Sequence, residues 1–291
     1  MFILKFCIYF LQAILIYLFF ITIKIIGLKI SRNFFSSIFN LIGPYIKSEQ
    51  VINNNLEKFL GHHNENIKKK IKFQMWTNYG KTFVEYLYLK KFKNTNYHIK
   101  IKGEEILNNI KKKNKPVIFV SGHFANFELM SQELTKKNIN LATIYRPLNN
   151  FFLNPFMEYL RKKYICKNQI KKGLGGVKDS INYIKNNFSI ALMIDQRVSE
   201  GKKLPFFEHA ALTTTMPAQI ALKFNLDIVP IYIARTNNDK FEMEVFNPIE
   251  ISKNDNTEIN KLNISLKLNK ILEEMISKDP GQWIWTHNRW K

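Results

Sequence analysis

An α/β fold with a mainly parallel central sheet flanked by helices, preceded by an N-terminal transmembrane helix, is predicted by three features of the sequence. From about residue 97 onward, short apolar runs alternate with helix-like segments, the pattern of a parallel sheet covered on both faces. Residues 6–23 carry no charge and are bounded by Lys5 and Lys24, which meets the roughly 17–25 residues needed to cross a bilayer. Between these parts the apolar residues fall at helical spacing. The chain therefore divides into a membrane anchor (1–30), an amphipathic, helical membrane-proximal segment (31–95) and an α/β core (96–291).

The 291 residues are 46% apolar, enough for a substantial core. The formal charge of +21 points to anionic partners such as nucleic acid, anionic lipid or an acidic protein. Lys, Asn and Ile are abundant even in ordinary surface stretches, so part of this charge reflects compositional bias and identifies no partner. The anchor argues against nucleic acid. Cys7 and Cys166 form neither a metal-spacing motif nor a disulfide framework, in keeping with a reducing compartment for the core.

In chain order, Ile25-Ile26-Gly27-Leu28-Lys29 offers no small-residue cleavage site, which favours an uncleaved, single-pass anchor over a signal peptide. Lys24, Lys29, Arg32 and Lys47 follow the span and only Lys5 precedes it, so the positive-inside rule places the core in the cytoplasm. Residues 33–47 form an amphipathic helix that lies on the membrane or packs on the core. Residues 50–92 are helical, with Lys68, Lys69, Lys70 and Lys72 able to meet anionic headgroups. Within the core, strands are expected at 98–101, 116–121, 140–145, 189–194, 227–233 and 240–246. Helices are expected at 104–111, 127–137, 150–164, 177–186, 215–224 and 258–277, and Pro205-Phe206-Phe207 in a loop.

The core is organised around Ser121-Gly122-His123-Phe124-Ala125-Asn126-Phe127-Glu128. His123 ends a buried strand, where open α/β sheets build their sites, and Glu128 sits in the first turn of the next helix, where the backbone dipole favours a carboxylate. Such a pair reads as a general base with its orienting acid. No Ser or Cys sits in a G-x-S-x-G elbow, so the proton donor is expected to be a hydroxyl of the substrate. Asp195-Gln196 ends the most apolar strand; Asp195 can equally cap the next loop or join the same cleft. Arg146 follows another strand and suits phosphate or carboxylate, although a surface arginine is the plainer reading. Gly173–Gly176 matches neither phosphate-loop nor dinucleotide fingerprint. His209 and His287 read as structural, and the C-terminal tryptophans as core or membrane-interface residues.

Taken together, the N-terminal anchor, His123-x4-Glu128, Tyr145-Arg146-Pro147, Asp195-Gln196, Pro205-Phe206-Phe207, Thr214 with Pro217-Ala218, and the tail Trp283 to Trp290 resemble the lipid A biosynthesis acyltransferases. These are the lauroyl and myristoyl, or late, acyltransferases within the lysophospholipid acyltransferase superfamily, and the ordered set covers nearly the whole chain. The Phe-Pro-Glu-Gly segment of glycerolipid acyltransferases is absent, and Glu208 stands where the resembled family usually has glycine. The resemblance implies a glycerolipid-acyltransferase-like fold in the inner membrane. It implies transfer of a fatty acyl chain from acyl carrier protein thioester to a hydroxyl of a Kdo-bearing lipid A precursor, without a covalent acyl-enzyme. His123 and Glu128 would be the dyad, Arg146, Asp195 and Gln196 would bind substrate, and no metal or organic cofactor would be required. Membrane phospholipids and two anionic substrates suit the positive charge. The alternatives are another acceptor (a lysophospholipid, glycerol phosphate or an amino-acid lipid) or a non-catalytic, membrane-anchored binding protein.

Overall fold

The computed structural model describes residues 2–61, 65–251 and 256–291. The N-terminal part is helical: α1 (Phe2–Ile26), α2 (Leu28–Ile46), α3 (Glu49–Leu60), α4 (Glu65–Glu85) and α5 (Leu89–Lys93). Residues 62–64, inside the helical stretch expected at 50–92, lie outside the described residues. The core follows as β1 (Ile99–Lys102), α6 (Glu104–Lys113), β2 (Ile118–Ser121), α7 (Glu128–Lys136), β3 (Leu141–Tyr145) and α8 (Asn154–Leu160). It continues as β4 (Asn168–Lys171), α9 (Leu174–Lys185), β5 (Ser189–Met193), β6 (Lys202–Phe206), β7 (His209–Thr213), α10 (Met216–Phe224), β8 (Ile228–Arg235), β9 (Phe241–Val245) and α11 (Thr257–Lys278).

Seven strands form one sheet in the order β1-β9-β8-β2-β5-β3-β4, parallel at every pairing except β8 with β9. β2 and the greater part of β5 are buried without alternation, as central parallel strands covered on both faces must be. β9 alternates buried and half-buried residues, consistent with its place toward the edge. The central pair β2–β5 is in register Ser121↔Met193, so the chain leaves both strands at the same height. That register positions the site.

Helix α1 is the apolar run predicted to meet the membrane, and Ile3–Ile26 is long and apolar enough to cross one. Helix α2 packs on the fold rather than standing free: Phe35 is buried against α1 and α4, and α4 approaches closely because Gly80 faces the backbone of Phe35, where a Cβ would lie 2.4 Å from its carbonyl oxygen. Gly43 likewise admits the Trp76 ring.

Three sequence expectations are corrected. The helix expected at 150–164 is α8 alone, followed by a wider π-type turn over Arg161–Ile165. Residues 150–153 form a turn instead, because the Asn150 side chain accepts the Phe152 N–H at 3.0 Å and competes with helical pairing. β4 went unpredicted, since its residues, Asn168-Gln-Ile-Lys, are mostly polar on the sheet's edge. Pro205-Phe206-Phe207 is not a loop: Pro205 and Phe206 lie in β6, which pairs with β7 as an isolated hairpin. Proline is tolerated there because a two-stranded ribbon leaves an edge on each strand. The hairpin turns on Phe207 and Glu208, both in the left-handed region at φ 47° and 63°, as a tight two-residue turn requires.

A fully buried carboxylate joins these layers. The Glu85 carboxylate, fully buried at the end of α4, accepts Arg32 Nε of α2 at 2.8 Å, both terminal nitrogens of Arg235 on β8, and Asn126 Nδ2 of the histidine loop at 2.9 Å. Removing one partner of a buried ion pair strands the other charge. We expect Glu85→Ala to lose about 3–5 kcal/mol in urea unfolding of the solubilised protein. Glu208→Gly should instead gain about 0.5–1 kcal/mol, read as a higher Tm, because glycine meets no Cβ penalty at positive φ.

Candidate active site

His123 and Asp195 each lie two residues beyond the paired ends of β2 and β5, so register alone brings them side by side. His123 Nδ1 donates to Asp195 Oδ1 at 2.8 Å, and the His123 backbone N–H donates to Oδ2 at 2.9 Å. Trp283 Nε1 donates to the same Oδ2 at 2.8 Å. A carboxylate only accepts, so Nδ1 carries a proton, and in the neutral imidazole Nε2 is the nitrogen left with a lone pair. Asp195 is fully buried, which pushes its carboxyl upward; the charge of His123 and the three hydrogen bonds outweigh this and hold it at about 2.

The expected His123–Glu128 pairing is corrected here. Glu128 points to other partners: its Oε1 accepts Tyr86 Oη at 2.8 Å and Arg161 Nε at 2.8 Å. Arg161 Nη2 lies 2.7 Å from the same oxygen. The reason is the backbone between the two residues. Ala125 sits at φ 42°, its N–H given to Gln282 O at 2.9 Å and its carbonyl accepting Thr82 Oγ1 at 3.2 Å. This turn ends the strand before α7 begins and separates the carboxylate from the imidazole. The sharp backbone is therefore at Ala125, while Gly122 makes room for the Phe124 ring, 2.7 Å from where a Cβ would stand.

Both groups face one cleft of about 720 Å³. Its floor is apolar, from Phe127, Met130, Ile144, Ile165, Leu192 and Met193. Arg146, Arg161, Lys172 and Lys47 make its wall basic, with Glu128 and Glu200 as the acidic members. Arg146 and Gln196 both line this cleft. Burial lowers the Lys172 ammonium, and Arg146 nearby lowers it further. Gly173 and Gly176, at the start of α9, also line the cleft.

Sequence reasoning missed four contributors. Arg161 sits in a lysine-rich helix end with nothing to single it out, and Tyr86 lies far upstream in an apolar face. Trp283 was visible only as part of an aromatic tail; it is buried, and so belongs to the core. His287, read as structural, lines the cleft and accepts the Arg197 backbone N–H at 2.9 Å through Nε2. His209 is exposed on the β6–β7 hairpin. Among the described residues no cluster of His, Cys, Asp or Glu has the makings of a metal site.

A buried carboxylate fixing an imidazole, at the head of a cleft with an apolar floor and a cationic wall, beside a helix apolar enough for a membrane, defines a class of α/β enzymes that handle amphiphilic substrates. The family match is narrower. The model of the bacterial lipid A biosynthesis acyltransferases matches residues 4–291, and the chain belongs to that family. It is an acyltransferase of lipid A synthesis. A search of curated proteins found no match.

His287 supplies a pH test. Burial lowers its imidazole from 6.5 to about 4, so the folded protein prefers it neutral. That contribution is complete above pH 6.5 and is lost as pH falls toward 4, where the unfolded chain binds the extra proton. The Asp195 contribution is lost only below its ordinary 3.8, as pH falls through about 2. Between pH 7 and 4.5 the melting temperature should therefore fall, and His287→Gln should flatten that fall.

Proposed function

We propose that the protein transfers a fatty acyl chain from acyl carrier protein thioester directly to a hydroxyl of a Kdo-bearing lipid A precursor, at the cytoplasmic face of the inner membrane. The observation that carries the mechanism is the His123–Asp195 hydrogen bond, which leaves Nε2 as the free base on a residue that lines the cleft. Nε2 takes the proton of the acceptor hydroxyl as its oxygen attacks the thioester carbonyl. Asp195 fixes the tautomer and stabilises the imidazolium that forms. Collapse of the tetrahedral intermediate expels the carrier thiolate, which takes the proton back from His123. No acyl-enzyme is needed.

The oxyanion needs a donor. The N–H groups of His123, Phe124 and Ala125 are already given to Asp195, to Gly122 O and to Gln282 O. The cleft cations Arg146 and Lys172 are the available charges, and they also suit an acceptor with anionic groups. Gln196, beside Asp195, contributes hydrogen bonding to the acceptor. Glu128 holds Arg161 against the cleft wall and acts on substrate position rather than on the proton. The apolar floor takes the acyl chain.

The test is transfer of labelled acyl chain from acyl carrier protein thioester to a Kdo-bearing lipid A precursor and, separately, to lysophospholipid and glycerol phosphate. Acylation of a glycerolipid alone would sink the lipid A acceptor. His123→Ala and Asp195→Asn should each lower kcat by about 10²–10⁴-fold. Glu128→Gln should act less on kcat and more on KM. A Glu128→Gln defect in kcat larger than that of Asp195→Asn would return the orienting role to Glu128.

A further inference from the structure

We propose that His287 is a second histidine in the chemistry: its Nδ1–H donates to the oxygen on which negative charge develops when the acyl carbonyl is attacked. The proposal rests on the acyl-transfer reading above and supplies a neutral donor that the backbone around His123 does not give.

The tautomer follows from one hydrogen bond. His287 Nε2 accepts the Arg197 backbone N–H at 2.9 Å. A ring nitrogen that accepts carries no proton, so the imidazole is neutral and its single proton sits on Nδ1. Among the described residues Nδ1 has no hydrogen-bond partner. The ring is half-buried and lines the same cleft as His123. With Nε2 engaged on the backbone, Nδ1–H is the polar group left for a ligand. Burial holds this imidazole at about 4, so it stays neutral near pH 7. The charged groups around it are Asp195, His123, Arg289 and Lys172; Asp195 opposes the downward shift and the other three add to it.

The fold fixes the ring from several sides. Asn55 of α3 is buried and donates through Nδ2 to Trp285 O at 2.8 Å and to His287 O at 2.7 Å. Thr286 Oγ1 lies 2.7 Å from Tyr79 Oη. Arg289 is fully buried and donates to Leu212 O at 2.7 Å and to Thr213 Oγ1 at 2.8 Å. The tail is therefore tied before, at and after residue 287. Arg197 stands two residues beyond Asp195, so both histidines rest on one segment after β5, His123 on its carboxylate and His287 on its backbone. A donor held this firmly needs no reorganisation when charge develops.

The two rings are complementary. Each carries a proton on Nδ1. In His123 that proton is given to Asp195, which leaves Nε2 as the base. In His287 Nε2 is engaged, which leaves Nδ1–H as the donor. A neutral imidazole can polarise a carbonyl in this way, and it leaves Arg146 and Lys172 to the anionic groups of the acceptor. His287 keeps its proton throughout. The acceptor oxygen bonds to the carbonyl carbon, the carbon–sulfur bond breaks, and the one proton that moves is the proton His123 takes and returns.

The test is His287→Nδ1-methylhistidine in the full chain, which removes the donor and keeps the Nε2 acceptor. Transfer is measured with whichever acceptor the unmodified enzyme acylates, so a wrong acceptor shows in the unmodified enzyme and a wrong donor only in the variant. We expect kcat to fall about 10²–10³-fold, with KM and the melting temperature held. Unchanged kcat, or a loss confined to KM, would overturn the proposal. A second measurement needs no turnover. In ¹⁵N spectra of imidazole-labelled protein at pH 7, with His287→Gln to assign the resonance, His287 should be protonated on Nδ1 and bare on Nε2. A proton on Nε2 would overturn the proposal as well.

Discussion

One buried carboxylate sets the relation between the N-terminal helices and the sheet. Glu85 accepts from Arg32, Arg235 and Asn126, which come from α2, from β8 and from the loop that carries His123. The one carboxylate can accept from both guanidinium groups only if all three elements dock together. Arg235 also reaches Asn78 and Thr82 on α4, and its backbone pairs in both directions with the Gln282 side chain. Gln282 in turn holds Ala125 in its left-handed conformation. The helical segment is thus part of the scaffold of the site, and the boundary expected near residue 95 is crossed by the interactions that matter most.

The second constraint is the sheet register. Adjacent parallel strands that end at the same height place the residues after them side by side. His123 and Asp195 use this directly, although they stand 72 positions apart in the chain. Side-chain reach does little of the positioning, since Asp195 binds both the ring and the backbone of His123. The price of this arrangement is a fully buried carboxylate, offset by the imidazole and the Trp283 indole.

Much of this was legible in the sequence. The apolar runs at 116–121 and 189–194 identified the central strands because buried parallel strands show no polar alternation. His123, Arg146, Asp195 and Gln196 could be grouped because each follows a strand. The partner of His123 was not legible. Proximity in sequence favoured Glu128, five residues away, whereas the strand order that joins β2 to β5 is a long-range property with no local signature. Arg161 and Tyr86 were hidden for the same reason: their importance lies in the carboxylate they meet. The β6–β7 hairpin escaped because its turn, Phe207-Glu208, has none of the glycine or asparagine that announces such turns.

The tail has a consequence for biosynthesis. Gln282, Trp283 and His287 hold, respectively, the backbone of Ala125, the carboxylate of Asp195 and the backbone of Arg197. These three residues leave the ribosome after every other part of the site. The helical segment and most of the sheet can assemble while the chain is still growing, but the histidine loop and its carboxylate are clamped only once residue 287 has emerged. A nascent chain that has not yet exposed Trp283 and His287 therefore lacks the finished geometry around His123 and Asp195, however much of the helical segment has already assembled.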